Sequence, residues 1–211
     1  MKKLHTIKAL KMKYILEDTI YFEHIKNHVV PSEKEFEDLW KVNDYIDSTP
    51  NPMNKKYMIK RKQGTYGAQY NFAGQQSKSI SSNYVDYPKI VKMVLEDVKI
   101  LSQSDKYNVV HVNFYPDGSA GLLPHSDTEK DMLDDMNIYS YTFLSEPGNP
   151  RGFQIYDQGE TEIHNVMLDH GDLLIMSRGM QRKYKHGVKK STAKKFKALR
   201  RINLTVRAWK I

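Results

Sequence analysis

The sequence predicts a mainly β protein with flanking helices (α+β), a jelly roll behind a smaller N-terminal α/β segment. Two observations carry that class. The one long helical pattern lies in the first half, where Ile90, Val91, Val94, Leu95 and Val98 recur on one face after Pro88. Beyond about residue 107 the texture changes to short β-branched or aromatic runs separated by turn residues. Helices first and many short strands later imply a sheet sandwich or barrel with helices packed outside.

The elements follow in order. Residues 1–14 are basic and read as a loosely ordered arm. Ser32 and Glu35 form a capping box just after Pro31. Phe36, Leu39 and Trp40 then share one apolar face, so a short helix starts at Ser32. Asn43 to Asn54 reads as loop, and the Gly-, Gln-, Ser- and Tyr-rich stretch from Lys55 to Ser82 as hairpins or a long surface loop. Residues 15–106 thus make an N-terminal segment and 107–211 a β core, together one compact domain. In that core the expected strands are Val109–Tyr115, Tyr139–Leu144, Gly152–Tyr156, Asp172–Met176 and Ile202–Ala208. Pro116-Asp117-Gly118, Pro147-Gly148-Asn149-Pro150 and His170-Gly171-Asp172 are the turns between them.

Composition narrows the chemistry. The chain has no cysteine, which excludes disulfides and thiolate metal sites and suits an intracellular protein. Any metal must therefore sit on histidine and carboxylate. No apolar run reaches the length of a membrane span, so no membrane association is expected. The formal net charge of +8 fits an anionic partner and equally fits a need for solubility, so charge alone decides nothing.

His125-Ser126-Asp127 puts two potential ligands on one face of an extended segment. His186, with several expected strands in between, completes a two-histidine, one-carboxylate triad of the kind that leaves coordination positions open on non-haem iron. His170-Gly171-Asp172 is a competing string. It reads as structural, because Gly171 marks a turn before the buried run Leu173 to Met176 and only a hairpin's length separates Asp172 from His186. His5, His24 and His28 read as surface groups, and His111 and His164 as satisfied polar groups in or near strands.

The C-terminal run supports the triad. Arg201, Asn203, Thr205 and Arg207 alternate with Ile202, Leu204, Val206 and Ala208, so one strand face carries two guanidinium groups and the other is apolar. A half-buried strand with its arginines in water gives the same alternation. Beside an iron triad, an inward-facing arginine suits a dicarboxylate co-substrate, which needs a planar bidentate cation. Asn113 and Tyr115 share a face of Val109–Tyr115 in the same way and offer hydrogen bonds to a carboxylate.

Together these segments resemble the AlkB family of Fe(II)/2-oxoglutarate-dependent dioxygenases. The resembling pieces are Asn113-Phe114-Tyr115-Pro116-Asp117-Gly118, His125-Ser126-Asp127-Thr128-Glu129, Leu168 to Met176, His186-Gly187-Val188 and Arg201 to Arg207, in matching order. The resemblance implies a double-stranded β-helix and Fe(II) on His125, Asp127 and His186, with O2 and 2-oxoglutarate as co-substrates. It also implies that Arg201 holds the distal carboxylate of 2-oxoglutarate, with Asn113, Tyr115, Asn203 and Arg207 completing the pocket. Arg61 to Gly67 and Tyr70 to Gly74 resemble the nucleotide-recognition region of the nucleic-acid-repairing branch. There Arg61, Tyr70, Phe72 and Glu129 are the substrate-binding candidates, Phe72 stacking on a flipped base and Glu129 lying near it.

The implied reaction is oxidative demethylation of N-alkylated bases of the 1-methyladenine or 3-methylcytosine type. Methylated DNA or RNA would be the partner, a monomer the working form, and formaldehyde, succinate and CO2 the products. The basic run Lys189, Lys190, Lys194, Lys195, Lys197 and Arg200 is expected at the active-site mouth, where it would grip phosphates. The rival readings are the same chemistry on a protein or small molecule, and a non-catalytic nucleic-acid-binding module of the same fold.

Overall fold

The computed structural model describes residues 10–51, 54–68, 71–72, 75–76 and 78–210. The N-terminal part runs β1 (Lys11–Glu17), β2 (Ile20–Ile25), α1 (Glu33–Trp40), β3 (Pro50–Asn51), β4 (Asn54–Met58), β5 (Lys62–Gly67), β6 (Asn71–Phe72), β7 (Gln75–Gln76), β8 (Ser79–Ser81) and α2 (Lys89–Ser102). The remainder runs β9 (Tyr107–Tyr115), β10 (Leu122–His125), β11 (Ile138–Leu144), β12 (Arg151–Tyr156), β13 (Glu162–Leu168), β14 (Asp172–Met176), α3 (Arg178–Lys183), β15 (Lys185–Val188) and β16 (Arg201–Ala208). No described helix is long and apolar enough to cross a membrane.

An eight-stranded sheet in the order β1-β2-β14-β11-β16-β9-β5-β8 faces a four-stranded sheet ordered β10-β15-β12-β13. This is the expected jelly roll. One apolar layer, with Phe22, Ile138, Ile155, Leu168, Leu174 and Val188, fills the space between the sheets. A second covers the outer face of the large sheet, where Phe36 and Leu39 of α1 and Ile90, Val94 and Val98 of α2 meet Val112, Phe114, Ile202, Leu204 and Val206. The centre of the large sheet is thus buried on both faces, and β11, β14 and β16 are buried at every residue. The apolar face of β16 packs on the helices, which turns its polar face into the space between the sheets.

The helices begin as expected. The Ser32 hydroxyl accepts from the Glu35 N–H, and the Glu35 carboxylate accepts from the Ser32 N–H. The five apolar residues read for α2 are all buried. Two expectations are corrected. Lys11 to Tyr14 are not a loose arm: they lie in β1, paired antiparallel with β2, and β2 continues the large sheet onto β14. His24 is not a surface group but 2% exposed, with Nε2 2.7 Å from Asp172 Oδ2.

Asp172 is indeed structural, and its turn needs Gly171, whose φ is +84°. Its carboxylate accepts from the N–H groups of Asn27 and Asp169 as well as facing His24. Burial alone would raise its pKa, but those hydrogen bonds hold it below its ordinary value of 3.8. The resulting stabilisation is present above that ordinary value and is lost as the pH falls through the lower folded-state value. Asp172→Ala strands two or three buried polar groups and should cost about 3 kcal/mol in denaturant unfolding at neutral pH. It should also flatten the acid side of the stability–pH curve while leaving metal affinity unchanged. A loss of metal binding in the folded variant would contradict the structural assignment.

Candidate active site

The metal candidates meet through strand pairing. In the β10–β15 ladder His125 is the direct partner of His186, which sets the two imidazoles side by side with ring centroids 4.3 Å apart. Gly187 permits that approach, since a Cβ there would come within 2.7 Å of the Leu122 carbonyl oxygen. Asp127, two residues past His125, has Oδ1 3.6 Å from His125 Nε2 and Oδ2 4.0 Å from His186 Nε2. One donor atom from each of the three lies within 4.8 Å of the others. Such spacing suits one ion bonded at about 2 Å to each donor after a small inward movement.

The details favour a metal. The His125 Nδ1 lies 3.0 Å from the Leu123 carbonyl, which places its proton there and leaves Nε2 as the ligand. Burial first, then the neighbouring His125, lowers the His186 pKa to about 3, so this imidazole is neutral at physiological pH. Phe153 stacks on its ring. Burial would raise the Asp127 pKa, but Arg207, His186 and His125 together push it well below the ordinary value. A buried carboxylate with a buried oxygen, Oδ1, that accepts no hydrogen bond among the described residues suits a cation partner. The side chain of His125 is 20% exposed against 2% for Asp127, so the cluster opens to solvent on the His125 side.

The cavity around this cluster occupies about 530 Å3, including its solvent-open part, and lies between the two sheets. Every polar residue read on the inner face of β16 lines it: Arg201, Asn203, Thr205 and Arg207. The β16–β9 register sets Arg201 opposite Tyr115 and Asn203 opposite Asn113, so both expected faces converge. Arg201 is 2% exposed, and its Nη2 donates to the Thr142 hydroxyl at 3.1 Å. Its Nε and Nη1 are buried with no hydrogen-bond partner among the described residues. The Tyr115 ring lies 4.9 Å from the guanidinium. Burial lowers the Arg201 pKa, with Tyr115 acting against the shift. An arginine buried with two unused donors fits the distal carboxylate of a dicarboxylate.

Other candidates have more specific surroundings. Arg207 Nη2 donates to Asp127 Oδ2 at 2.6 Å, so it belongs to the metal end of the cavity. The Asn203 amide donates to the Ser140 hydroxyl and the Tyr141 carbonyl and accepts from Thr205, which commits it to the sheet. Arg61 donates to Asn113 and to Gln63, and all three line the cavity. Glu129 sits half-buried in the segment after Asp127, outside the cavity lining. Tyr70 lies outside the described residues, and Phe72 enters only as a strand residue of β6.

In the basic run before β16, Lys190, Lys194, Lys195 and Lys197 are exposed, while Lys189 and Arg200 have carboxylate partners. Arg200 forms a two-pronged ion pair with Glu37 of α1 and lies over Phe36 and Trp40. Lys189 pairs with Glu162 at 2.5 Å. These two cations are therefore already committed to carboxylates, Arg200 on the outer helix layer.

Sequence reasoning missed Arg151, Arg178 and Gln181. Arg151, at the start of β12, donates to the carbonyls of Asp117, Gly118, Ala120 and Lys189. It ties the turn after β9 to the end of β15, close to Arg201 and Tyr115. Its position at the end of a Pro- and Gly-rich connection gave no sign of burial.

A family model described as the 2OG-Fe(II) oxygenase superfamily matches residues 22–207. The chain belongs to that superfamily, whose chemistry uses Fe(II), 2-oxoglutarate and O2. Its fold is similar to that of OsALKBH1, at 20% identity and a TM-score of 0.57 over 93% of this chain and 99% of that one. It is also similar to a prolyl-4-hydroxylase from Pseudomonas putida, at 14% identity and TM-score 0.51 over 92% and 94% of the two chains. A third likeness is to a Trichoplax adhaerens prolyl hydroxylase in complex with a hypoxia inducible factor peptide fragment, at 16% identity and TM-score 0.54 over 89% and 83%. No curated protein matches the chain in sequence.

Proposed function

We propose that this oxygenase removes methyl groups from N-alkylated nucleic-acid bases of the 1-methyladenine and 3-methylcytosine type. The observation that carries this reading is the course of β5. The run from Arg61 to Gly67, which resembles the nucleotide-recognition segment of nucleic-acid-repairing enzymes, brings Arg61 and Gln63 into the wall of the cavity that holds His125, Asp127 and His186. The likeness to OsALKBH1 over nearly the full length of both chains supports it.

Iron held by His125, Asp127 and His186 would supply oxygen activation coupled to decarboxylation of 2-oxoglutarate. The protein's own residues supply placement. Arg201 and Tyr115 fix the far end of the co-substrate, and Arg207 restrains the Asp127 carboxylate. The apolar side chains of Leu122, Phe153 and Val188 keep bulk water from the inner cavity. A base inside a duplex stack cannot reach a cavity between two sheets, so the target must be flipped out or single-stranded. A 3-methylcytosine ring is cationic, and Glu129, two residues past Asp127, would favour that charge by Coulomb attraction.

Formaldehyde release from a single-stranded oligonucleotide carrying 3-methylcytosine tests the proposal. Release is expected with the methylated strand and absent with the unmethylated strand, without 2-oxoglutarate, and in His186→Ala. Succinate formed without formaldehyde from any methylated DNA or RNA base would sink the substrate class. Attention would then pass to peptides, as in the prolyl hydroxylase complex.

A further inference from the structure

The carboxylate residue of the candidate metal site lies past the end of its strand and is held by another element. Asp127 is 1% exposed, and both of its peptide groups are taken by side chains of α3, the short helix between β14 and β15. The Asp127 N–H donates to Gln181 Oε1 at 3.0 Å, and the Asp127 carbonyl accepts from Arg178 Nη1 at 2.7 Å. Gln181 is 1% exposed and Arg178 8%. A third tie runs from the Ser126 hydroxyl to the carbonyl of Tyr184, at the end of the same helix. Two residues beyond Tyr184 stands His186.

We propose that Gln181 and Arg178 are positioning residues, a clamp on the Asp127 backbone that aims its carboxylate at the metal and couples it to His186. This inference rests on the metal reading of His125, Asp127 and His186. Its physical basis is direct. β10 ends at His125, so Asp127 lies beyond the last ladder pair and no strand hydrogen bond fixes it. Its peptide groups are buried and must be bonded somewhere. Bonding them to one rigid helix removes backbone freedom at the ligand, which otherwise must be lost on metal binding. Arg178 also separates two explanations by sign. A buried cation beside a metal site repels the ion, so simple loss of its charge would tighten metal binding. Loss of the clamp would weaken it.

Co(II) titration of the full chain, followed by visible absorption, reads this without enzymatic turnover. Gln181→Met and Arg178→Met should each bind Co(II) about 10-fold or more weakly, with an altered spectrum, in protein that circular dichroism shows to be folded. Arg178→Lys, which keeps a donor, should recover part of the loss. Unchanged affinity in a folded Gln181→Met, or tighter binding in Arg178→Met, would overturn the clamp while leaving the triad standing. Should Arg178→Met fail to fold, the uncharged Gln181→Met exchange decides alone. Failure of the wild-type chain to bind Co(II) would overturn the triad and the clamp together.

Discussion

Arg201→Met should weaken 2-oxoglutarate binding about 100-fold, the scale of a ~3 kcal/mol loss when one member of a buried charge pair is truncated. The same change should leave the metal-free, co-substrate-free protein as stable as wild type or more stable by about 1 kcal/mol. The two effects have opposite signs for one reason. Without the co-substrate, Arg201 is a buried cation with Nε and Nη1 unbonded among the described residues, and a methionine replaces its aliphatic stem without a charge to desolvate. With the co-substrate, the guanidinium gains a carboxylate partner. Calorimetric titration of 2-oxoglutarate in the presence of Mn(II), set beside urea unfolding of the free protein, reads both. A variant that loses stability and keeps affinity would show Arg201 to be a structural cation. Arg201→Lys should recover little, because an ammonium supplies charge without the planar fork.

Asp127→Ala should abolish metal binding by removing a ligand, whereas Asp172→Ala leaves metal affinity unchanged. It should also destabilise the protein by about 3–5 kcal/mol, since buried Arg207 loses the carboxylate 2.6 Å away. The double variant Asp127→Ala/Arg207→Met should regain much of that stability and none of the metal binding. The interaction energy from this cycle separates the pairing of the two side chains from the coordination chemistry. With Arg207→Met as the second single variant, a double variant whose loss of stability equals the sum of the two single losses would mean that the ion pair contributes nothing to the fold.

The parts of this site that were legible in the sequence are those set by local period. The alternation in β16 is one: burial of both faces left only the inter-sheet space for its arginines, and the alternation already separated them from Ile202, Leu204 and Val206. The α2 stripe and the Ser32 capping box are others, because a helix writes its own start and its own buried face. What stayed hidden depends on partners far along the chain. Residues 1–14 read as a basic arm, yet Lys11 to Tyr14 pair with β2, which joins them through β14 to the edge of the large sheet. His24 is buried only because Asp172, 148 residues away, meets it. The choice of Arg207 rather than solvent as the partner of Asp127 spans 80 residues. The α3 clamp is a six-residue helix, too short to show a period, and its Gln and Arg look like surface residues until the segment after β10 is folded against them. Arg200 stands next to Arg201 in a basic run, and only the position of α1 reveals that Glu37 neutralises it.

One cavity between the sheets is proposed to hold iron through His125, Asp127 and His186 and 2-oxoglutarate through Arg201. Anaerobic titration with Fe(II) and then 2-oxoglutarate, followed by the visible charge-transfer band of the chelate, tests it most directly. One iron and one 2-oxoglutarate per chain are expected, with no band in His186→Ala and, in Arg201→Met, a band that forms only at far higher 2-oxoglutarate concentration. Undiminished iron binding in His186→Ala, or a wild-type midpoint for 2-oxoglutarate in Arg201→Met, would contradict it.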